Sequence, residues 1–542
     1  MFIANSFIFF LIKFILFYFI FFFLGRGLLL CISKFKNVDD LKVSGFNIYI
    51  FYASIGMVLF GNYLFLLNFF KPINSPLIFL IGIFLIPNIM VFPIWKMFKK
   101  SLRNFPLYFI LLIPSYDLAY HYDSGLYHLQ FQALIRESNL IQGISNIYGP
   151  LGIGSIYDYI SAALWFDTTY VLLQFLNLIF LILFYEFLLN LLFMKNNKAL
   201  NNAGLAILAF SLLDNLGMNG GRNGFLYIQS LGKQDMTIAI LYFVTTILIF
   251  INIKKQSLNI FEIIIPTIFA LFIWELKVSG ITIFMIYLVF LYQLIKKKLL
   301  TKSTKIVLFS NFTVGIFWTL KTTLQTGCLI YPLEMSCIDT LSWFNSDYTN
   351  TTLRSAQMYS IAYDFNSSLG DWFREFLEYQ INGIILTNFI FSLFIIYFLF
   401  FQKKKNSYEK NTNYLIALIT FNILFFFYYS PHLRYLVATQ LIIIFIVGYK
   451  RVPRFNIKPK IIYFLVLFSI VSIVRINSYK SFDFFNNPIH PIPIPELLVY
   501  DDRFIPKEGD QCWAVTKCSA NYNYYKIDKS NFFTVVTLTN EN

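Results

Sequence analysis

What most constrains this chain is a succession of apolar runs of roughly 17–25 residues, each long enough to cross a hydrocarbon layer of ~30 Å as a helix. A backbone in lipid must satisfy its amides and carbonyls internally, and runs of this length do so as helices. Charged residues make up only 13% of the 542 positions, against about 25% in a soluble domain. The reading is an all-α polytopic membrane protein. Spans are expected near 3–24, 46–70, 75–95, 104–118, 169–194, 199–213, 235–253, 258–274, 278–295, 305–320, 383–402, 413–429, 433–449 and 460–476. That is about fourteen, with boundaries good to about two to four residues.

The basic residues then set a topology. The net charge of +15 comes from short Lys/Arg clusters between apolar runs: Arg26–Lys42, Lys96–Arg103, Lys195–Lys198, Lys254-Lys255, Lys296–Lys305, Lys403–Lys410 and Lys450–Lys460. An even number of spans separates any two of them, so all seven share one face, which the positive-inside rule makes the cytoplasm. Charge distributed in this way argues against a nucleic-acid partner. Both termini are expected outside. The apolar run 1–24 lacks a basic start and a small-residue cleavage site, so it reads as an uncleaved helix, with Lys13 snorkelling or facing the bundle.

The outer face collects a different population. Within an expected membrane domain of residues 1–476 it takes the connection 119–168, then 214–234, the turn Trp274–Lys277, the long loop 321–382 and Ser430–Arg434. The extracytoplasmic tail, 477–542, joins them and is too short for a sizeable core of its own. Cys328 and Cys337 lie in one outer loop, and Cys512 and Cys518 lie in the tail, at spacings that permit two local disulfides in an oxidising compartment. Five free thiols are the alternative. Apolar residues recur at helical spacing from Ser124 to Gln142 and again over 367–381, which predicts helices lying on the membrane surface.

The stretch Ser115–Gln130 concentrates the polar chemistry, with Asp117, His121, Asp123, Tyr127 and His128 close together. A half-shielded carboxylate at the mouth of a bundle can act as a general base, and Asp123 is the candidate, with Asp117 as rival. The alternative is that Asp123 only caps the following helix. Isolated outer cations suit phosphate recognition: Arg222 in a glycine-rich loop, Lys233 beside Asp235, Lys277 beside Glu275 in a tight turn, and Arg434 after His432. Ionisable groups at membrane depth are costly and often functional, although mutual pairing alone explains Glu275 and Lys277 as well. A lone histidine such as His432 is more often a structural hydrogen-bonder than a catalyst. Walker A, GxSxG, HExxH and zinc-type spacings are absent. With no cytoplasmic domain to bind a nucleotide sugar, an outward site needs a donor delivered by the membrane.

Four segments, DSGLYHLQ at Asp123–Gln130, GCLIYPLEMSCID at Gly327–Asp339, SPHLRY at Ser430–Tyr435 and GDQCWAVTKC at Gly509–Cys518, together cover 37 of the 542 residues. With the acidic first outer loop, they resemble a bacterial branch of the GT-C superfamily of integral membrane glycosyltransferases. The resemblance implies a GT-C-like core in the bacterial inner (cytoplasmic) membrane, with its active site facing the periplasm or exterior. It implies transfer of a sugar from a polyprenyl-phosphate-type carrier to a cell-envelope glycan or glycolipid, with membrane lipid as a further partner. The family's acid maps to Asp123, and a second acid, less directly, to Asp235. No cofactor is called for, and a divalent cation is compatible with the outer carboxylates. Three spans precede the catalytic one, which departs from the common pattern, and no WWDxG-type motif is present, which argues against transfer to asparagine. An O-antigen or capsule polysaccharide polymerase or ligase fits the same topology. A transporter or flippase is the reading from another class, and the absence of a clear internal repeat counts against it.

Overall fold

The computed structural model describes residues 7–91, 105–116, 118, 120–166, 171–194, 197–216, 225, 232–358, 368–405, 411–473, 492–500, 503–519, 525–529 and 534–538. The described chain is mostly helical, with a few short strands. Among the described residues nine helices are long and apolar enough to cross a membrane: Phe7–Ile32, Ile48–Asn68, Val171–Leu192, Lys198–Leu216, Asp235–Ile253, Val278–Lys296, Asn382–Phe400, Thr412–Tyr429 and Leu433–Lys450. Shorter apolar helices cover Pro76–Met90, Phe105–Ser115 and Pro459–Ile473. The helix Ile260–Leu276 begins at a capping box between Asn259 and Glu262, which satisfies amides that have no partner within the helix. The helix Lys302–Thr326 is richer in polar side chains, and Thr313, Thr319, Thr322, Thr323 and Thr326 each donate to the carbonyl four residues earlier. Those hydroxyls are thereby satisfied within their own helix. Phe79, Phe309, Phe312 and Phe464 lie largely exposed on the flanks of the bundle, an arrangement suited to lipid rather than water.

The helices Val171–Leu192 and Asp235–Ile253 are the most deeply buried of the nine. Asp235–Ile253 packs against Leu176–Leu192, Ile260–Leu276, Ile283–Lys296 and Val437–Lys450. Its first residue is therefore held at the meeting point of several chain segments. At the other flank, Phe7–Ile32 crosses Tyr52–Asn68 at backbone contact: a Cβ on Gly25 would stand 1.9 Å from the Tyr52 carbonyl oxygen, and one on Gly56 would stand 1.9 Å from that of Phe21. Small residues that let backbones approach in this way are the usual means of packing helices where burial against lipid gives no driving force. Arg26, expected as one of the free loop cations, is instead buried. It grips Asp39 with Nε and Nη2 at 2.9 and 2.7 Å and donates to Asn88, while the Tyr52 hydroxyl donates to Asp39.

The helix expected over Ser124–Gln142 is divided. A single π turn, Ser124–His128, runs into the α-helix Leu129–Glu137. The chain then leaves the helix because Asn68 captures it: the Asn68 amide donates to the carbonyls of Ile135 and Ser138, and Leu140 N–H donates to the Asn68 carbonyl. Ile141–Gln142 instead forms a strand that pairs in parallel with Thr534–Leu538, which pairs antiparallel with Tyr525–Lys529. The tail thus closes over the polar stretch. Trp513 N–H donates to the Gly125 carbonyl at 2.8 Å, Gln130 donates to the Cys518 carbonyl, and Ser519 Oγ donates to the Ile147 carbonyl. Disulfides join Cys328 to Cys337 and Cys512 to Cys518. The surface helix expected over 367–381 is observed as Leu369–Glu378, with Phe376 buried beside Phe426 and Leu433.

Gly56→Ala places a methyl group on a neighbouring backbone that cannot withdraw, so it is expected to destabilise the protein by about 1–3 kcal/mol. Gly82→Ala, with open space around its Cβ, is the matched control. Thermal melting of the two detergent-solubilised variants checks this, and equal melting temperatures would show that the crossing tolerates a side chain.

Candidate functional site

The site is built at the head of the central helix. Asp235 is its first residue, where the helix dipole favours a negative charge. Lys277, in extended backbone between Ile260–Leu276 and the 3-10 turn Val278–Thr282, places Nζ 3.1 Å from Asp235 Oδ1. Arg434 approaches from the 3-10 turn Leu433–Leu436, with Nε 3.4 Å from Asp235 Oδ2 and Nη2 donating to the Tyr435 hydroxyl at 2.8 Å. The Lys277 ammonium stands 4.0 Å over the Tyr435 ring, a cation–π arrangement that strengthens when water is excluded. Two residues before the helix, Lys233 Nζ donates to Asp123 Oδ2 at 2.7 Å. Residues far apart in the chain, Asp123, Lys233, Asp235, Lys277 and Arg434, therefore share one cluster. Its three cations meet two carboxylates, which leaves an excess of one positive charge.

A cavity opens beside Asp235, Arg434 and Tyr435. Its far wall carries a hydroxyl–amide chain in which Tyr242 donates to Asn422 and Asn422 donates to Thr439. Apolar cover comes from Phe425, Phe426 and Tyr429. The lining is thus polar in part and aromatic in part, and Arg434 is the cation within it.

Asp123 does not cap the π turn, since it makes no capping bond. Its carboxylate is committed to Lys233, and His121 Nδ1 lies 3.4 Å away while accepting from the Asp123 backbone amide. Burial alone would raise the Asp123 carboxyl, but His121 and the Lys233 ammonium together hold it well below the usual carboxylate range. Burial, aided by the Arg434 guanidinium, pulls the Lys233 ammonium down, with Asp235 and Asp123 opposing. For Lys277 burial acts downward too, but Asp235 and Tyr435 outweigh it and keep the ammonium above its ordinary value. Tyr127 lies within the fields of Asp123, Asp158, Tyr435 and Arg434, and burial pushes its phenol upward.

Other expected site residues have different placements. The His128 ring lies beside Tyr127, 4.2 Å between centroids, yet its Nδ1 is turned to Asp158 at 2.9 Å. His432 is buried, faces Tyr379 and Tyr435, and accepts at Nδ1 from the Arg434 backbone amide. Glu275, only two residues from Lys277, does not join the cluster. It accepts from the Asn62 amide at 3.2 Å, and among the described residues its Oε1 makes no hydrogen bond. Asp117 and Arg222 lie outside the described residues. The disulfide of Cys512 and Cys518 brackets Trp513, which stacks on Gly125 and roofs the π turn, whereas Cys328 and Cys337 hold a separate loop.

Asp158 was not anticipated. It sits in the short helix Ile156–Ala163, where Ser155 and Asp158 form a capping box. The signal was present in the sequence as Ser155-Ile-Tyr-Asp158, the Ser-x-x-acid pattern of a helix start, inside a loop read only as a long connection. Among the described residues no three His, Cys, Asp or Glu side chains converge as metal ligands. Asp123 and Asp235 each face cations, so these two carboxylates do not fit a divalent ion.

The chain belongs to the family described as a domain of unknown function (DUF8201), which matches residues 7–441. That match takes in every described residue of the cluster and ends before the disulfide-bearing tail. No curated protein and no solved structure matches the chain.

Burial first, then the Arg434 guanidinium, push the His432 imidazole down to about 3. Folded His432 is thus neutral where its unfolded counterpart, of pKa about 6.5, begins to bind protons. Its contribution to stability is complete above about pH 6.5 and falls by about 1.4 kcal/mol per unit as pH drops towards 3. The melting temperature is expected to fall between about pH 7.5 and 5.5, and to fall less in His432→Gln. Identical pH dependence in the two proteins would assign the loss to other groups.

Proposed function

We propose that the protein is a GT-C-type glycosyltransferase of the bacterial inner membrane, with about fourteen spans and its site on the non-cytoplasmic face. In this reading it moves a sugar from a polyprenyl-phosphate-type lipid to a cell-envelope glycan or glycolipid. The observation that carries the proposal is the cluster at the head of the Asp235–Ile253 helix, where Lys233, Lys277 and Arg434 outnumber Asp123 and Asp235 beside a cavity. Buried charges are expensive, so an assembly of this kind is weak evidence for stability and stronger evidence for a charged ligand.

The chemistry follows from the charge balance. As the bond between the anomeric carbon and the phosphate oxygen breaks, the electron pair goes to the phosphate. Lys277 and Arg434 are positioned to stabilise that developing charge, and they are already fixed by Asp235 and Tyr435 before the reaction begins. The excess positive charge supports the bound donor in the same way. Asp123, ionised and tied to Lys233, is a weak base in this state; it keeps the Lys233 ammonium at the edge of the site and orients what binds there. The aromatic lining of the cavity suits the apolar portion of a sugar or carrier.

Arg434→Gln is expected to lower the rate of transfer from a polyprenyl-phosphate sugar by about 100-fold, in the range seen when one fixed charge-stabilising donor is removed. Asp123→Asn is expected to be milder, since it loosens Lys233 without removing it. The assay uses the full chain in lipid nanodiscs, scored as labelled sugar transferred to envelope glycan or glycolipid. No transfer by the wild-type protein, or an unaltered rate in Arg434→Gln, would reject the proposal. Cysteines introduced at Ser303 and Ser342 in a Cys31→Ser background should react with an impermeant maleimide from opposite faces; labelling from one face would overturn the proposed orientation.

A further inference from the structure

A second cavity lies beside the residues that lead into the central helix. Lys233 and Gln234 line it, whereas the next residue, Asp235, lines the first cavity. The two spaces therefore take their lining from adjacent residues of one segment. The second cavity holds a dyad that the charge cluster does not use. His128 Nδ1 donates to Asp158 Oδ1 at 2.9 Å. Asp158 is fixed in turn by the Gln132 amide at 3.1 Å and, through Oδ2, by the Ser155 backbone amide at 3.0 Å. A carboxylate with three donors around it only accepts, so the imidazole proton is on Nδ1 and the lone pair is on Nε2.

Nε2 makes no hydrogen bond among the described residues, although His128 is more than nine-tenths buried. The other polar lining is largely committed: Gln132 accepts from Trp165, Asn177 bridges the Lys233 carbonyl and Thr237, and Gln234 accepts from Ser155. His128 ends the π turn Ser124–His128, a local departure from α geometry that is often found at functional sites. Overhead the chain passes at Gly232, with φ +88°, where a Cβ would fall 2.4 Å from Ser124 Oγ. The cavity keeps its room only because that position is glycine.

We infer that the second cavity receives the attacking hydroxyl of the acceptor, a neutral polyhydroxyl compound of the saccharide class, and that His128, aligned by Asp158, takes its proton. This rests on the glycosyl-transfer reading above and assigns the base that Asp123, bound to Lys233, does not supply. The step balances. The acceptor O–H proton moves to His128 Nε2, and the acceptor oxygen forms its bond to the anomeric carbon. The bond from that carbon to the phosphate oxygen breaks, and its electron pair leaves with the lipid phosphate beside Lys277 and Arg434. His128 then returns its proton to water. Among the described residues, the charged or titratable groups that line the cavity with His128 are Asp158 and Tyr157 from one short helix and Lys233 from the wall, and Tyr127 lies tilted against the ring. Asp158 is the one bonded to the imidazole.

The test compares wild-type protein with His128→Ala and Asp158→Asn in nanodiscs, using a polyprenyl-phosphate sugar as donor and millimolar imidazole as rescue agent. His128→Ala is expected to lose about 100-fold or more in kcat, with KM for the donor unchanged within about twofold. Imidazole diffusing into the vacated space is expected to restore the rate by about tenfold or more. Asp158→Asn is expected to lose kcat without rescue, because its ring is present but wrongly oriented. Wild-type-like kcat in His128→Ala, or a loss that imidazole does not reverse, overturns the inference and leaves the transfer reading standing. A wild-type protein that transfers no sugar removes that reading and this inference with it.

Discussion

The salt bridges of Asp235 are the contacts on which the site end of the molecule depends. One carboxylate at a helix start holds Lys277 from one helix break and Arg434 from the head of another helix. Three remote parts of the chain are thereby fixed at one point. Removing a single partner from such a buried pair costs about 3–5 kcal/mol, because the remaining charge loses its compensation. The same arithmetic explains why the cluster is not there for stability: well-packed apolar residues would hold these helices together as well or better. Its neighbours follow from it. Tyr435 is placed by the two cations that flank its ring and hydroxyl. Lys233, two residues upstream, carries Asp123 and with it the start of the π turn.

Around this centre the scaffold achieves rigidity by close backbone approach and by enclosing polar groups in pairs. The Gly25–Gly56 crossing brings two helices to van der Waals contact at the backbone, and the Arg26–Asp39–Asn88 network ties the same region to the next segment. Over the π turn the small sheet and the Cys512–Cys518 segment press Trp513 onto Gly125. A chain that leaves His128 and Asp158 facing a cavity rather than packed apolar side chains forgoes packing there, which is the pattern of a site rather than of a core.

Much of the helical framework was legible in the sequence, because apolar length and basic spacing are direct consequences of a low-dielectric slab. The helix Asp235–Ile253 begins and ends at the residues expected from its pattern. Lys233, Asp235, Lys277 and Arg434 could be named as candidates, since isolated charges at the ends of apolar runs are conspicuous. The pairings could not. Glu275 and Lys277 look like partners on the chain, yet a helix end followed by extended backbone turns them to different neighbours. The division of 124–142 into a π turn, a helix and a strand depended on Asn68, an acceptor and donor more than fifty residues away.

What the sequence determined by itself is the class of structure: apolar runs of membrane length, the basic clusters between them, and the short list of ionisable residues left over. These depend on local properties, hydropathy and charge, that each segment carries wherever it is placed. What only the tertiary structure decided is which of those residues act together. The exchange of His128 from the Asp123 cluster to Asp158, the capture of Asp123 by Lys233, and the two cavities lined by Gln234 and by Asp235 all arise from contacts between distant segments. Coulomb energy and hydrogen-bond geometry act over a few ångströms of space, and spacing along the chain does not report that distance.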